Sequence, residues 1–222
     1  MEQLIKLCEK FNCKYLQNEK MSLHTTFKIG GNARLVVYPQ NEEQISELVK
    51  CAKAENVRLI AVGNGSNLLV DDDGIDACVL ILGEPFSQIK LIDDETIYAK
   101  AGAKLIALCR FAYEHSLSGL EFAYGIPGSA GGAAFMNAGA YGGEMKDVLY
   151  KCEHIDKNGK KGFLEGDGLE LSYRHSAYYE NGCTITGIYV KLKKGNKEEI
   201  KAKMQDLISR RREKQPLEYP SA

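Results

Sequence analysis

The stretch Gly125-Ile-Pro-Gly-Ser-Ala-Gly-Gly-Ala-Ala-Phe-Met-Asn-Ala-Gly-Ala-Tyr-Gly-Gly-Glu144 concentrates seven of the chain's 22 glycines into twenty residues. Glycine lets backbone N–H groups approach a ligand closely, and it reaches the φ > 0 conformations from which anion-binding nests are built. A flexible linker would be Gly and Ser alone, whereas Ile126, Pro127, Phe135, Met136 and Tyr141 anchor this stretch at intervals. It reads as a phosphate-cradling loop around which the remaining chain must be organised.

That remainder is an ordinary globular sequence. Its 222 residues, 44% hydrophobic and 27% charged, suit one large domain or two small ones. Lys+Arg 29 against Asp+Glu 30 leaves a formal charge of -1, so there is no basic field for nucleic acid and no acidic tail. Seven cysteines (Cys8, Cys13, Cys51, Cys78, Cys109, Cys152, Cys183) are scattered, odd in number and without a C-x-x-C pair, which speaks against a disulfide framework and a zinc site. They read as small apolar core residues in a reducing cytosol. The N-terminal ten residues carry charge every few positions, so they form neither a signal peptide nor a membrane span. The expectation is a cytoplasmic protein with no membrane and no nucleic-acid partner.

Along the chain, residues 1–20 read as an amphipathic helix carrying Leu4, Leu7, Cys8 and Phe11 at helical spacing. A strand follows over 34–39, then a helix over 42–55 with capping-box spacing between Asn41 and Gln44, then a strand over 57–62, together a βαβ unit. Directly after that strand comes Gly63-Asn-Gly-Ser-Asn-Leu-Leu-Val70, at a carboxyl strand end where α/β sheets bind ligands. Asp71, Asp72 and Asp73 lack further oxygen ligands at loop spacing and read as a solvated turn, so no metal site is expected. Further strands are expected over 77–82 and in a hairpin over 89–93 and 96–100, then a helix from Leu105 to Ser116 with His115 complementing its dipole. A second hairpin over 148–155 and 160–164, with His154 on the surface, precedes the cluster Leu171-Ser-Tyr-Arg-His-Ser-Ala-Tyr178 and a strand over 184–192. The last helix is capped by Asn196 with Glu199, turns Ile200, Met204, Leu207 and Ile208 inward, and ends in Arg210, Arg211, Arg212 and Lys214.

Two glycine-bearing turns with hydroxyl and amide side chains in one α+β chain point to a ligand with several phosphates or a diphosphate bridge, as in a dinucleotide. A Rossmann site does not fit. Gly125-x-x-Gly128-x-x-Gly131 has the wrong spacing, Pro127 stands inside it, and the Asn137–Gly142 continuation opens no helix.

Taken together, Thr26-Phe-Lys-Ile-Gly-Gly31, Gly63–Asn67, Gly125–Gly132, Asn137-Ala-Gly-Ala-Tyr-Gly142 and Tyr173-Arg174-x-Ser176 resemble, in order and over nearly the whole chain, the MurB family, the UDP-N-acetylenolpyruvoylglucosamine reductases of peptidoglycan precursor synthesis. The resemblance implies an FAD-binding fold of the PCMH (vanillyl-alcohol-oxidase) type, two α+β subdomains with the flavin between them. Mapped on this chain, that gives an N-terminal helix over 1–20, one subdomain over 21–83 and a second over 84–222 with the C-terminal helix. Gly63, Asn64, Gly65, Ser66, Asn67, Gly125, Ile126, Pro127, Gly128, Ser129, Gly131 and Gly132 would then hold the diphosphate and ribityl chain. Asn137, Gly139, Ala140, Tyr141 and Gly142 would lie near the isoalloxazine, with Tyr141 also facing substrate. Relatives in this superfamily anchor FAD covalently on a histidine of the first loop; none stands between 63 and 70, so the flavin is expected to be non-covalent.

In such enzymes NADPH reduces the flavin, which passes hydride to the enolpyruvyl group of a UDP-sugar, leaving charge at C2 that a cation stabilises. Arg174 matches the family's arginine for that role. Two readings are open for Arg212 and Lys214: they reach the substrate diphosphate, or they complement the helix dipole. The family continues into a substrate-binding domain opening with Gly-Ser-x-Phe-Lys, whose serine protonates C2, and later supplies a glutamate. That motif is not found in the 222 residues, and Ser221 lacks the following Phe-Lys. Loss of a general acid costs roughly 10²–10⁴ in rate, so the chain is expected to bind FAD and to turn over poorly alone. The two functional readings are therefore the flavin half of a reductase, and a flavin-binding module without catalysis.

Overall fold

The computed structural model describes residues 1–215 and 219; Ser221 lies outside them. The chain begins with α1 (Glu2–Lys10), whose Leu4 and Cys8 are buried. The expectation of a helix through residue 20 is corrected, because a Schellman motif stops it: Asn12 takes φ +48°, Cys13 N–H donates to Cys8 O at 2.8 Å and Asn12 N–H to Glu9 O at 3.1 Å. Lys14–Lys20 is then a strand, β1.

Next come β2 (Asn32–Tyr38), α2 (Glu42–Ala54), β3 (Leu59–Val62) and β4 (Ile75–Ile81). Asn41 caps α2 by accepting Gln44 N–H, while the Gln44 side chain returns to Gln40 N–H, one residue before the position a capping box uses. These strands form one sheet in the order β1-β2-β4-β3, with β2 and β3 each parallel to β4. The β2–α2–β3 crossover therefore spans a gap that β4 fills, which leaves β3 on the sheet edge. Leu35, Val37, Cys78 and Leu80 face α1 and α2 in the main core, while Val36 and Val79 face a smaller core with Met21 and Val70. A register shift between Ala33 and Leu35 moves Ala33 to the smaller core.

The second sheet is antiparallel throughout. After β5 (Ile89–Leu91), β6 (Thr96–Lys100), α3 (Leu105–Glu114) and the short β7 (Leu117–Ser118) come α4 (Ala130–Phe135) and a small hairpin of β8 (Gly139–Ala140) and β9 (Gly143–Glu144). Then follow β10 (Leu149–Ile155), β11 (Lys161–Glu165), α5 (Tyr178–Asn181), β12 (Thr184–Lys191), β13 (Lys193–Lys194) and α6 (Lys197–Lys214). The sheet order is β11-β10-β12-β6-β5. Its inner face, with Ile97, Cys152, Ile188 and Val190, joins the same core as α1 and α2. On the outer face the Tyr98 and Tyr189 hydroxyls both donate to Glu153. All seven cysteines are free thiols, five of them buried.

His154 corrects the expectation of a surface residue. A register shift between Glu153 and His154 breaks the strand alternation, so His154 and Ile155 are both buried, and His154 Nδ1 meets the Tyr178 hydroxyl at 2.9 Å. Burial disfavours the imidazolium and lowers its pKa below the usual 6.5. An unfolded chain thus takes up a proton that the folded chain resists. This contribution to stability is full above the unfolded value and is lost as pH falls below it, by at most about 1.4 kcal/mol per pH unit. Thermal midpoints between pH 7.5 and 5.0 should fall more steeply for the wild type than for His154→Gln; equal slopes would refute this.

Candidate functional site

The first glycine loop leaves the carboxyl end of edge strand β3. At Gly63 a Cβ would lie 2.0 Å from Ser129 Oγ, so this loop and the second glycine stretch touch backbone to side chain. Asn64 Nδ2 donates to Pro127 O and fastens the two loops. Gly65 has φ +60°, and a Cβ there would stand 1.9 Å from His24 O, because the Thr26–Gly31 segment backs the loop and Thr26 N–H donates to Gly65 O at 3.1 Å. Among the described residues, no protein acceptor is taken by the backbone N–H groups of Asn64, Gly65, Ser66 or Asn67. Four consecutive free donors in a glycine-bent loop make an anion cradle.

The second stretch is not a loop throughout. Ser129 accepts Gly132 N–H at 3.3 Å and caps α4, where alanines outweigh the glycine cost. Gly131 packs on Ala101, Gly131 N–H donates to Ala101 O at 2.8 Å and Ala130 N–H to Ala103 O at 2.7 Å. Gly128 has room, since an added Cβ would meet nothing closer than 3.6 Å, whereas at Gly132 it would press on Ser129 Oγ at 3.2 Å. Packing within the protein does not demand glycine at 128, where the missing side chain leaves the loop open.

Between the loops, α2 and the α5–β12 segment lies a cavity of about 650 Å³. Val49, Ala52, Val62 and Ile185 make its walls apolar, the rings of Phe135 and Tyr179 lie tilted against each other with centroids 4.4 Å apart at its side, and Lys53, Arg58 and Lys157 bring positive charge. The turn between β10 and β11 closes on α2 through Ser46 Oγ to Gly159 O, Lys53 Nζ to Asn158 Oδ1 at 2.6 Å and a Glu42–Lys161 ion pair.

Arg174 stands on a tight turn. Ser172 and His175 exchange backbone hydrogen bonds of 3.2 and 3.1 Å, Arg174 takes φ +50°, and its Nη2 donates to Asn67 Oδ1 at 2.8 Å. Ser176 Oγ, buried, donates to Phe135 O at the end of α4. Tyr141 (φ +54°) and Gly142 (φ +82°) form the two-residue turn of the β8–β9 hairpin, with Gly139 and Ala140 in β8 and the Tyr141 side chain 44% exposed. Asn137 is 2% exposed and its amide is wholly engaged by the protein.

Of the sequence-derived residues, the structure brings together Gly63–Asn67, Pro127–Gly132 and Arg174. Arg212 and Lys214 are exposed at the end of α6, and among the described residues no hydrogen bond or ion pair joins them to the loops. The side chain that reaches Gly125 is Arg211, whose Cδ fills the space a Cβ would need. It continues the inward stripe of Met204, Leu207 and Ile208, a periodicity from which it was readable. Phe135, Tyr179 and the cavity cations had no such signal.

A parallel-containing sheet and an antiparallel one, with two joined glycine loops and a cavity of apolar walls and flanking cations beside them, make the kind of site that suits a phosphate-bearing ligand with an apolar ring. The FAD binding domain family matches residues 33–161, more than half of the chain. A UDP-N-acetylenolpyruvoylglucosamine reductase of Syntrophomonas wolfei is 45% identical over 92% of this chain, which spans 68% of that relative. The crystal structure of UDP-N-acetylenolpyruvylglucosamine reductase (MurB) from Thermus caldophilus superposes with TM-score 0.77 at 32% identity, over 92% of this chain and 70% of that one. A cholesterol oxidase from Brevibacterium sterolicum, 13% identical with TM-score 0.63 over 82% of this chain and 38% of its own, shares the fold alone. The fold is the FAD-binding PCMH, or vanillyl-alcohol-oxidase, type. The chain belongs to the UDP-N-acetylenolpyruvoylglucosamine reductase family.

Proposed function

We propose that this chain holds the flavin and the arginine of an NADPH-dependent reductase acting on an enolpyruvyl UDP-sugar. The observation that carries the reading is the convergence of Asn64 on Pro127 and of Arg174 on Asn67, which joins three segments 63 to 107 residues apart around one cradle. The cradle fits the cofactor. Unpaired N–H donors suit a diphosphate, the glycine at 128 leaves space beside them, and the apolar cavity suits a planar base and its ribose. FAD, when bound, supplies a two-electron hydride carrier between NADPH and the substrate double bond.

The chain's own residues do the rest. Asn64 to Asn67 orient the diphosphate with fixed dipoles, and the cavity walls exclude water from the cofactor's far end. Arg174, held by Asn67, presents a permanent cation to the substrate carboxylate as negative charge grows there, and Tyr141 stands exposed at the hairpin tip on the substrate side. Arg211 braces the Gly125 backbone, and Arg212 and Lys214 offer charge to the substrate diphosphate. NADPH and the UDP-sugar are cytoplasmic metabolites, which assigns the protein to the cytoplasm; no helix of the described residues is long and apolar enough to cross a membrane.

The test is an anaerobic visible spectrum of the purified chain titrated with FAD and then NADPH. Saturable binding and bleaching of the oxidised flavin band by NADPH are expected. Failure to bind FAD overturns the reading, and binding without bleaching reduces the chain to a flavin-binding module.

A further inference from the structure

Asn137 falls, by resemblance, among the flavin contacts, yet its side chain has no donor left to offer a cofactor. Nδ2 donates to Ser172 O at 2.8 Å and to Glu144 Oε2 at 2.7 Å, and Oδ1 accepts Lys146 N–H at 2.8 Å. Both donor hydrogens of the amide and one of the two lone pairs of its oxygen are thus used by the protein. Its backbone sits at φ +45°, a conformation asparagine tolerates better than most residues. Three segments meet at this one amide: the end of α4, the strand and turn around Glu144 to Lys146, and the turn from Ser172 to His175.

The third of these has a chemical consequence. Ser172 opens the turn whose paired backbone bonds fix it as a unit, and Arg174 is the left-handed residue within that unit. The guanidinium then spans to Asn67. Asn137 grips the base of this turn while Asn67 grips the tip of the side chain. The Glu144 carboxylate that Asn137 also meets is already paired with Lys146 Nζ at 3.2 Å, so the contacts that depend on Asn137 are those to Lys146 N–H and to Ser172 O, and only the second reaches the Arg174 turn.

We propose that Asn137 is a positioning residue for Arg174, setting the turn that aims the guanidinium, and that it does not contact the cofactor. The proposal rests on the reading of Arg174 as the cation of the reductase site. Arg174 is exposed, so its turn is held by bonds rather than by packing of its side chain: Ser176 to Phe135 O anchors the far end, and Asn137 to Ser172 O anchors the near one.

Two variants separate this from a general loss of structure. Asn137→Gly keeps the positive φ and deletes the amide, and Asn137→Asp keeps the shape and removes both donors. In the flavin-free chain, tryptic cleavage after Arg174 should rise about three- to tenfold, the worth of one partly buried hydrogen bond, with other sites unchanged within about 1.5-fold. In the FAD-loaded chain, flavin affinity should stay within about threefold while turnover of the enolpyruvyl UDP-sugar drops roughly tenfold at unchanged KM for NADPH. That drop should vanish in an Arg174→Ala background. Unchanged cleavage at Arg174, equal acceleration at every site, or a tenfold loss of flavin affinity would each overturn the proposal. A wild-type chain whose turnover is too slow to follow is what the missing proton donor leads one to expect, and the cleavage pattern then decides the role of Asn137.

Discussion

Gly63→Ala should weaken FAD binding by about 10–100-fold, the equivalent of the 1–3 kcal/mol that overpacking typically costs. The added methyl would lie 2.0 Å from Ser129 Oγ and 2.8 Å from Ser129 Cβ, and Ser129 is itself only 3% exposed and caps α4. It cannot swing away without uncapping that helix, so the two loops must separate and the cradle between them widens. Ser129→Gly in the same chain removes both clashing atoms and should restore part of the affinity, the remainder reflecting the lost cap. Flavin fluorescence titration of the two single variants and the double variant measures this directly. Gly63→Ala binding FAD within threefold of the wild type would show that the loop contact does not shape the cradle.

Arg174→Ala should leave FAD binding and the NADPH-driven bleaching of the flavin unchanged, while slowing reoxidation by the enolpyruvyl UDP-sugar roughly 10²–10³-fold, the usual cost of deleting one preorganised charge-stabilising donor. The residue is exposed, so the fold loses only its link to Asn67. Arg174→Lys should recover a minor part, because an ammonium cannot both keep the Asn67 contact and present a planar fork. Stopped-flow traces of the two half-reactions separate these outcomes. An equal loss in both halves would remove Arg174 from the substrate step.

Much of the architecture was written in short-range pattern. The apolar periodicities of α2, α3 and α6 and the apolar runs of β2 and β12 are local properties, and so is the Asn41 cap. The two glycine loops were legible because their composition has few other uses. What escaped was decided at a distance. A single left-handed Asn12 converts an apparent helix into helix plus strand, β4 enters between two strands that precede it in sequence, and a register shift turns His154 inward. A helix inside the glycine stretch depends on a serine cap and on packing against Ala101. The bond from Asn137 to Ser172 O, thirty-five residues away, is likewise absent from anything its motif spells out.

The contacts that make the cradle are long-range in sequence: Asn64 with Pro127 across 63 residues and Asn67 with Arg174 across 107, while Ser46 with Gly159, closing the neighbouring turn on α2, spans 113. On a ribosome adding roughly 5–20 residues per second, the first glycine loop waits about 5–20 s for the arginine that bonds Asn67. Through that interval β3 has an unpaired edge and no covering segment from the second sheet. Flavin has nothing finished to bind until most of the chain has been made, so it acts on the completed fold and cannot rescue the nascent one. Slower, cooler expression should then raise the yield of folded protein more than added riboflavin does.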